Sequence, residues 1–162
     1  MIGTYPSFCT TQADRDAYEV ARAGGWEEWV RNHADLRAIE AGCRFSIKRA
    51  QYVRDFIERF LFIDKGRPFK LLPYQWTDMI GPIFGWVRAD GKRRISSAYI
   101  EIPKGHGKSL IASAISLYML LVDGRKRAEC YLAGYDGETT NTIFKECANF
   151  VANSKLLQQK LK

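Results

Sequence analysis

A short run of glycine, lysine and serine carries the clearest chemical signal in this sequence. It reads Ile102-Pro-Lys-Gly-His-Gly-Lys-Ser109. A loop that binds phosphate needs backbone N–H groups that point inward, which glycine permits, a lysine for the outer phosphates and a hydroxyl for Mg²⁺. The run therefore predicts a phosphate-binding loop, in which Lys108 contacts the β- and γ-phosphates and Ser109 ligates Mg²⁺.

The run departs from the usual G-x-x-x-x-G-K-[ST] pattern at its first position, where Ile102 stands. Its place in the chain supports the prediction, because it follows an expected strand and opens an apolar helix. The alternative is a plain strand–turn–helix, and for Lys104 a solvated loop lysine. The candidate phosphate-binding residues are Lys104, Gly105, His106, Gly107, Lys108 and Ser109.

Two further groups of side chains suggest recognition. Gln75 lies about thirty residues before the loop, and its amide can both donate to and accept from an adenine edge, while the neighbouring Tyr74 can stack on the base. A glutamine beside aromatics is usually structural. The basic cluster of Lys92, Arg93 and Arg94 can contact the phosphates of a nucleic acid or face solvent.

The elements around the loop alternate in type. Strand formers occupy Ile95 to Ile102 and Cys130 to Tyr135, and helical patterns occupy Ser109 to Val122 and Thr139 to about Asn153. Strands that alternate with helices form a parallel sheet with right-handed crossovers. The sequence thus predicts an α/β fold of the P-loop NTPase type, with a parallel sheet and flanking helices, of which only the first strands are present.

A helical region precedes these elements. The first dozen residues lack periodicity and are expected to form a loose arm or a connection. Apolar spacings predict helices from Trp26 to Leu36 and from Ile47 to Phe62. A further element opens at Pro73 and runs towards Gly81 and Pro82. We therefore expect a helical N-terminal region over residues 1–65 and the N-terminal part of an ATPase-type domain over residues 66–162.

The charge is unevenly distributed. The net charge of +7 divides into −3 over residues 1–40 and +10 over residues 41–162, which suits a polyanionic partner or a merely basic surface.

The composition, 46% hydrophobic, excludes a disordered or collagenous chain. The longest apolar stretch, Leu110 to Val122, is too short to span a membrane. Scattered cysteines predict free thiols, and no zinc site is expected.

Several segments together resemble the large subunit of tailed-phage terminases, with the HK97-like group as the nearest. The resemblance covers roughly residues 40–150 and keeps the order and spacing of its parts. It is carried by Gly66-Arg-Pro-Phe-Lys-Leu-Leu-Pro-Tyr-Gln-Trp76, Phe84-Gly-Trp86, Lys92-Arg-Arg94 and Ala98-Tyr-Ile-Glu-Ile-Pro-Lys-Gly-His-Gly-Lys-Ser109.

The resemblance implies an ATP-driven motor that packages double-stranded viral DNA into a procapsid. By position it implies that Gln75 belongs to the adenine-recognition motif, that Lys104 is the basic residue inside the phosphate loop, and that ATP and Mg²⁺ are the cofactors. It further implies a small terminase subunit and a portal protein as partners, a homo-oligomeric ring at full length, no membrane, and the bacterial host cytoplasm as the location.

One expected part of such a motor is missing. After Ser109 no apolar run ends in two adjacent acidic residues, and hydrolysis needs such a pair to hold the Mg²⁺ water shell and polarise the attacking water. The acidic pair, the arginine finger and the nuclease domain are expected beyond Lys162, so the chain should bind ATP without efficient turnover and holds no catalytic residue. The alternatives are another P-loop translocase, helicase-like, and a non-enzymatic basic DNA-binding module.

Overall fold

The structure is a computed structural model that describes residues 4–124, 126–134 and 136–161. It is rich in helix. The α-helices are α1 (Gln12–Ala23), α2 (His33–Glu40), α3 (Ile47–Phe60), α4 (Gly81–Gly85), α5 (Lys108–Leu121), α6 (Gly137–Ala152) and α7 (Lys155–Lys160). The strands are β1 (Arg44–Phe45), β2 (Phe62–Ile63), β3 (Arg67–Pro68) and β4 (Trp86–Val87).

The chain divides into two compact units. The first unit comprises the described residues of Met1–Gln51 together with Tyr74–Ala98, and the second comprises those of Tyr52–Pro73 together with Tyr99–Lys162. Helix α3 crosses this division. The domain boundary predicted after residue 65 stays a prediction.

An aromatic core holds the first unit together. Trp29 stacks on Phe45 with ring centroids 4.3 Å apart, and the edges of Trp76 and Trp86 meet this pair. Strands β1 and β4 pair antiparallel, so that Phe45 lies opposite Trp86. Large aromatic rings bury much apolar area each, and their edge-to-face contacts add to it. A single cluster of rings thus joins the two separate stretches of chain that build this unit.

Side-chain caps set where α1 and α2 begin. Thr11 accepts a hydrogen bond from the Asp14 backbone N–H, and the buried Asp14 carboxylate accepts from the Thr11 backbone N–H at 2.8 Å, which is a capping box. Asn32 caps α2 by accepting from the Asp35 N–H. The helix predicted from Trp26 to Leu36 is therefore wrong, because the cap at Asn32 starts a new helix after a short 3₁₀ turn.

The N-terminal residues are also better ordered than their sequence indicates. Cys9 is buried in the core of the first unit, and Tyr5 and Phe8 pack against that core. The expectation of a loose arm is wrong for residues 4–11. The reason is that sparse aromatic contacts, which have no helical or strand period, anchor this segment.

A π-helical turn interrupts the segment after Pro73. It covers Gln75–Ile80, and the Gly81 N–H donates to the Trp76 carbonyl, five residues back. Gly81 is required there, since a Cβ atom would lie 2.3 Å from Cζ3 of Trp29. Pro82 follows without an N–H to donate. The predicted start at Pro73 is confirmed, and the helical path continues past Pro82 into α4.

Helices α5 and α6 and an antiparallel strand pair form the centre of the second unit. Helix α5 packs along α6, and the antiparallel pair of β2 and β3 lies beside α6, where Phe69 stacks on Phe150 with centroids 5.7 Å apart. The helices predicted around Ile47–Phe62, Ser109–Val122 and Thr139–Asn153 are confirmed with ends shifted by one or two residues. Helix α7 follows α6 and was not predicted.

The predicted parallel sheet is the main disagreement. Residues 95–103 and 128–134 carry no regular secondary structure and pair with no strand in the described parts of the chain, and Tyr135 lies outside them. The structure therefore does not show the strands predicted at Ile95–Ile102 and Cys130–Tyr135. Strand-forming residues extend the backbone, but a sheet needs a neighbouring strand. Tyr99 and Tyr131 are 89% and 86% exposed.

None of the helices in the described parts of the chain has the length and apolar character needed to cross a bilayer.

Asp14 predicts how the first unit responds to acid. The Thr11 backbone N–H, helped by the Thr10 and Thr11 hydroxyls, holds the pKa of the Asp14 carboxyl well below its ordinary value of 3.8. Because the folded pKa is depressed, this stability is present above pH 3.8 and is lost as the pH falls through the folded pKa. We expect the free energy of unfolding to fall with pH below about 4, and Asp14→Asn to flatten that fall.

Chemical denaturation at a series of pH values measures the effect. Asp16→Asn removes an exposed carboxylate from the same helix and is the matched control. Equal slopes for Asp14→Asn and the unaltered protein below pH 3.8 contradict the assignment.

Candidate nucleotide-binding site

The glycine-containing loop adopts a conformation that few other residues tolerate. Gly105 has a φ of +87° and Gly107 a φ of +76°, both in the left-handed region that favours glycine. The His106 N–H donates to the Pro103 carbonyl at 3.4 Å, which closes the turn. The loop therefore reverses direction immediately before α5 begins.

Helix α5 begins without a side-chain cap. Gly107 is its N-cap residue and provides no side chain, and its carbonyl accepts from the Ile111 N–H at 3.0 Å. The first N–H groups of a helix have no intrahelical partner, and the helix dipole makes this end positive. The described first turn carries no acidic side chain that would compensate that charge. The start of α5 is thus suited to bind an anion.

The charged side chains of the loop lie at the surface. Lys104, His106 and Lys108 are exposed, and Ser109 is half-buried. Neither lysine forms an ion pair with a carboxylate in the described parts of the chain. The loop therefore brings two ammonium groups, a hydroxyl and backbone donors to one end of α5. This donor set matches the oxygens of a polyphosphate, and the Ser109 hydroxyl is a hard oxygen ligand of the type that Mg²⁺ takes.

The residues proposed to recognise adenine lie in the first unit, whereas the loop lies in the second. Gln75 opens the π-helical turn and is 2% exposed, and Tyr74 directly before it is half-buried. Single π-turns occur frequently at functional sites. The local structure thus gives Gln75 an unusual backbone position and a buried amide.

The three basic residues at 92–94 differ in their surroundings. The Arg94 guanidinium lies 2.7 Å from the Asp35 carboxylate, donates to the Ala34 carbonyl at 3.0 Å and lies over the Trp86 ring. Arg93 lies over the Phe84 ring at 5.2 Å. Lys92 is exposed and 3.6 Å from Asp90. Arg94 therefore has a structural role in the first unit, whereas the Lys92 side chain is exposed to solvent.

Sequence reasoning missed two residues that position these groups. Asp35 holds Arg94 across 59 residues of sequence, a separation that no local pattern reveals. Ser113 is completely buried in α5, four residues after Ser109, and its hydroxyl contacts the Ser109 carbonyl. Ser113 and Ser116 both stand in the apolar stretch of α5, so the sequence alone does not distinguish them.

Comparison with known families identifies a match over the second half of the chain. Residues 73–162, more than half of the chain, match the family model described as the ATPase domain of the terminase large subunit. Comparison with curated proteins gave no match, and neither did comparison with solved structures.

Substituting alanine for Arg94 and for Lys92 should change the free energy of unfolding by different amounts. Arg94→Ala leaves the largely buried Asp35 carboxylate without its guanidinium partner and should lower the free energy of unfolding by about 2 kcal/mol. Lys92→Ala removes an exposed side chain and should change it by less than about 0.5 kcal/mol. Urea denaturation of both variants provides the comparison. Equal stability of the two variants contradicts the structural role of Arg94.

Proposed function

This chain belongs to the family of terminase large-subunit ATPase domains, and on that premise we propose that it is the ATP-binding part of a viral DNA-packaging motor. The observation that carries the proposal is the start of α5. There the left-handed Gly105 and Gly107 precede an uncapped helix that opens with Lys108 and Ser109. The loop and the helix both lie within the residues that match the family.

In this proposal the loop binds the phosphates of ATP. The backbone N–H groups at Gly107, Lys108 and Ser109 surround a phosphate, and the Lys108 ammonium contacts the β- and γ-phosphates. Lys104 adds a second positive charge, and Gly105 and His106 line the same loop. Ser109 supplies a hydroxyl ligand for Mg²⁺. The bound ion supplies charge neutralisation between the outer phosphates.

We assign adenine recognition to Gln75, with Tyr74 bordering the base. The amide donates to and accepts from the adenine edge, and its position in the π-helical turn supports the assignment. Gln75 is buried, so its amide must become exposed before it can form hydrogen bonds with the adenine base.

DNA is the proposed polymer substrate, as the family implies. Lys92 and Arg93 are the basic side chains that we assign to DNA contact. Arg94 pairs with Asp35 and thereby holds the backbone next to them in place. The net charge of +10 over residues 41–162 favours a polyanion. By analogy with the family, the proposal also includes a small terminase subunit and a portal protein as partners, and a ring of identical subunits. It further assigns the chain to the HK97-like group and to the host cytoplasm.

We also propose that Ile95–Ile102 and Cys130–Tyr135 are parallel strands of a P-loop NTPase sheet when a neighbouring strand pairs with them. Both segments contain strand formers, and the first leads directly into the phosphate loop. Unpaired amides exchange rapidly with solvent, so fast hydrogen exchange in both segments of the isolated chain is the expected observation.

Nucleotide binding by the purified chain tests the function. We expect Mg²⁺-ATP to bind, and Lys108→Ala to weaken binding at least about tenfold, because charge-assisted contacts to phosphate contribute roughly 1.5–3 kcal/mol. Turnover should be slow, because no adjacent acidic pair ends an apolar run after Ser109. Isothermal titration calorimetry and phosphate release measure the two quantities.

Lys126→Ala is the matched control, since it removes an exposed lysine outside the loop. Equal affinity of Lys108→Ala and the unaltered protein contradicts the proposal and favours a basic DNA-binding module. Fast, Lys108-dependent turnover contradicts the expected lack of hydrolysis. Circular dichroism confirms that each variant is folded.

A further inference from the structure

Ser113 occupies an unusual position in the second unit. It is completely buried in the middle of α5. Its Oγ lies 2.7 Å from the Ser109 carbonyl oxygen and 2.9 Å from the Ile143 carbonyl oxygen of α6. One hydroxyl therefore links the first turn of α5, which carries the phosphate-loop serine, to a second helix.

A back-bond within the helix alone would be ordinary. Serines in helices commonly bond the carbonyl four residues earlier, and Ser116 does so to Ala112 at 2.8 Å without reaching α6. Ser113 differs because its single proton is shared between carbonyls of two helices. A buried hydroxyl is costly unless it is hydrogen-bonded, so both acceptors help to fix the spacing of α5 and α6.

Cys147 provides a second contact between α6 and Ser113. Its Sγ lies 3.7 Å from the Ser113 carbonyl oxygen. Burial raises the pKa of the Cys147 thiol, which keeps it protonated and able to donate. The side chain of Ser113 thus bonds α6 while its carbonyl accepts from α6. This pair of contacts fixes the register of the two helices one turn beyond Ser109.

We propose that Ser113 is a positioning residue that couples α6 to the phosphate loop, because its hydroxyl ties the backbone of Ser109, the residue assigned to Mg²⁺, to the Ile143 carbonyl of α6. The inference rests on the proposed function. Displacement of α6 along α5 breaks the Ser113–Ile143 contact and removes the link between the Ser109 backbone and α6. The affinity for Mg²⁺-nucleotide therefore depends on the position of α6.

The Mg²⁺-dependent part of nucleotide affinity tests the coupling. The dissociation constant of a non-hydrolysable ATP analogue, AMP-PNP, is measured with Mg²⁺ and with EDTA in the full chain. We expect Ser113→Ala to leave the affinity in EDTA unchanged and to reduce the gain produced by Mg²⁺ about fivefold, as expected for the loss of one hydrogen bond. Ser116→Ala, the matched control, should keep the full gain.

A double-mutant cycle separates positioning from general stability. In a Ser109→Ala background the Mg²⁺ ligand is absent, so adding Ser113→Ala should have no further effect on the gain. Thermal unfolding shows whether each variant is folded. A purely structural role predicts a lower melting temperature and equal weakening with and without Mg²⁺, which overturns the inference.

The two proposals fail in different ways. If the unaltered chain binds no Mg²⁺-AMP-PNP, the proposed function is wrong and the inference falls with it. If the unaltered chain binds with a Mg²⁺ gain and Ser113→Ala keeps that gain, only the inference is overturned.

Discussion

The left-handed backbone at Gly107 is the constraint on which the candidate site depends. With φ at +76°, the chain turns directly into α5, and the helix begins without a side chain above its first N–H groups. Any residue with a Cβ atom is strained in this conformation. Lys108 and Ser109 open the positive end of α5 because this turn is possible.

The sequence predicts those features that depend on neighbours along the chain. The loop, the start of α5 and the helical periods of α3 and α6 were all visible, because a helix is stabilised by contacts three and four residues apart. The aromatic core was only partly visible. Trp29 and Phe45 stack across separate elements, and a helical period identifies neither partner.

The features that the sequence could not predict depend on distant partners. The strand formers at 95–102 and 130–134 form no ladder among the described residues. Arg93 and Arg94 are adjacent and identical in type, but Arg94 pairs with Asp35 whereas Arg93 lies over the Phe84 ring. Ser113 and Ser116 lie in the same apolar stretch, and only the structure shows that the Ser113 hydroxyl also contacts the Ile143 carbonyl. Tertiary placement gives each of these residues its role.

The distribution of tryptophan between the two units has a spectroscopic consequence. The four indoles of the chain are Trp26, Trp29, Trp76 and Trp86, and all belong to the first unit. Emission excited at the red edge of indole absorption therefore reports only on that unit, while the loop and α5 are optically silent. A tryptophan introduced in place of the exposed Phe144 would give the second unit a signal of its own.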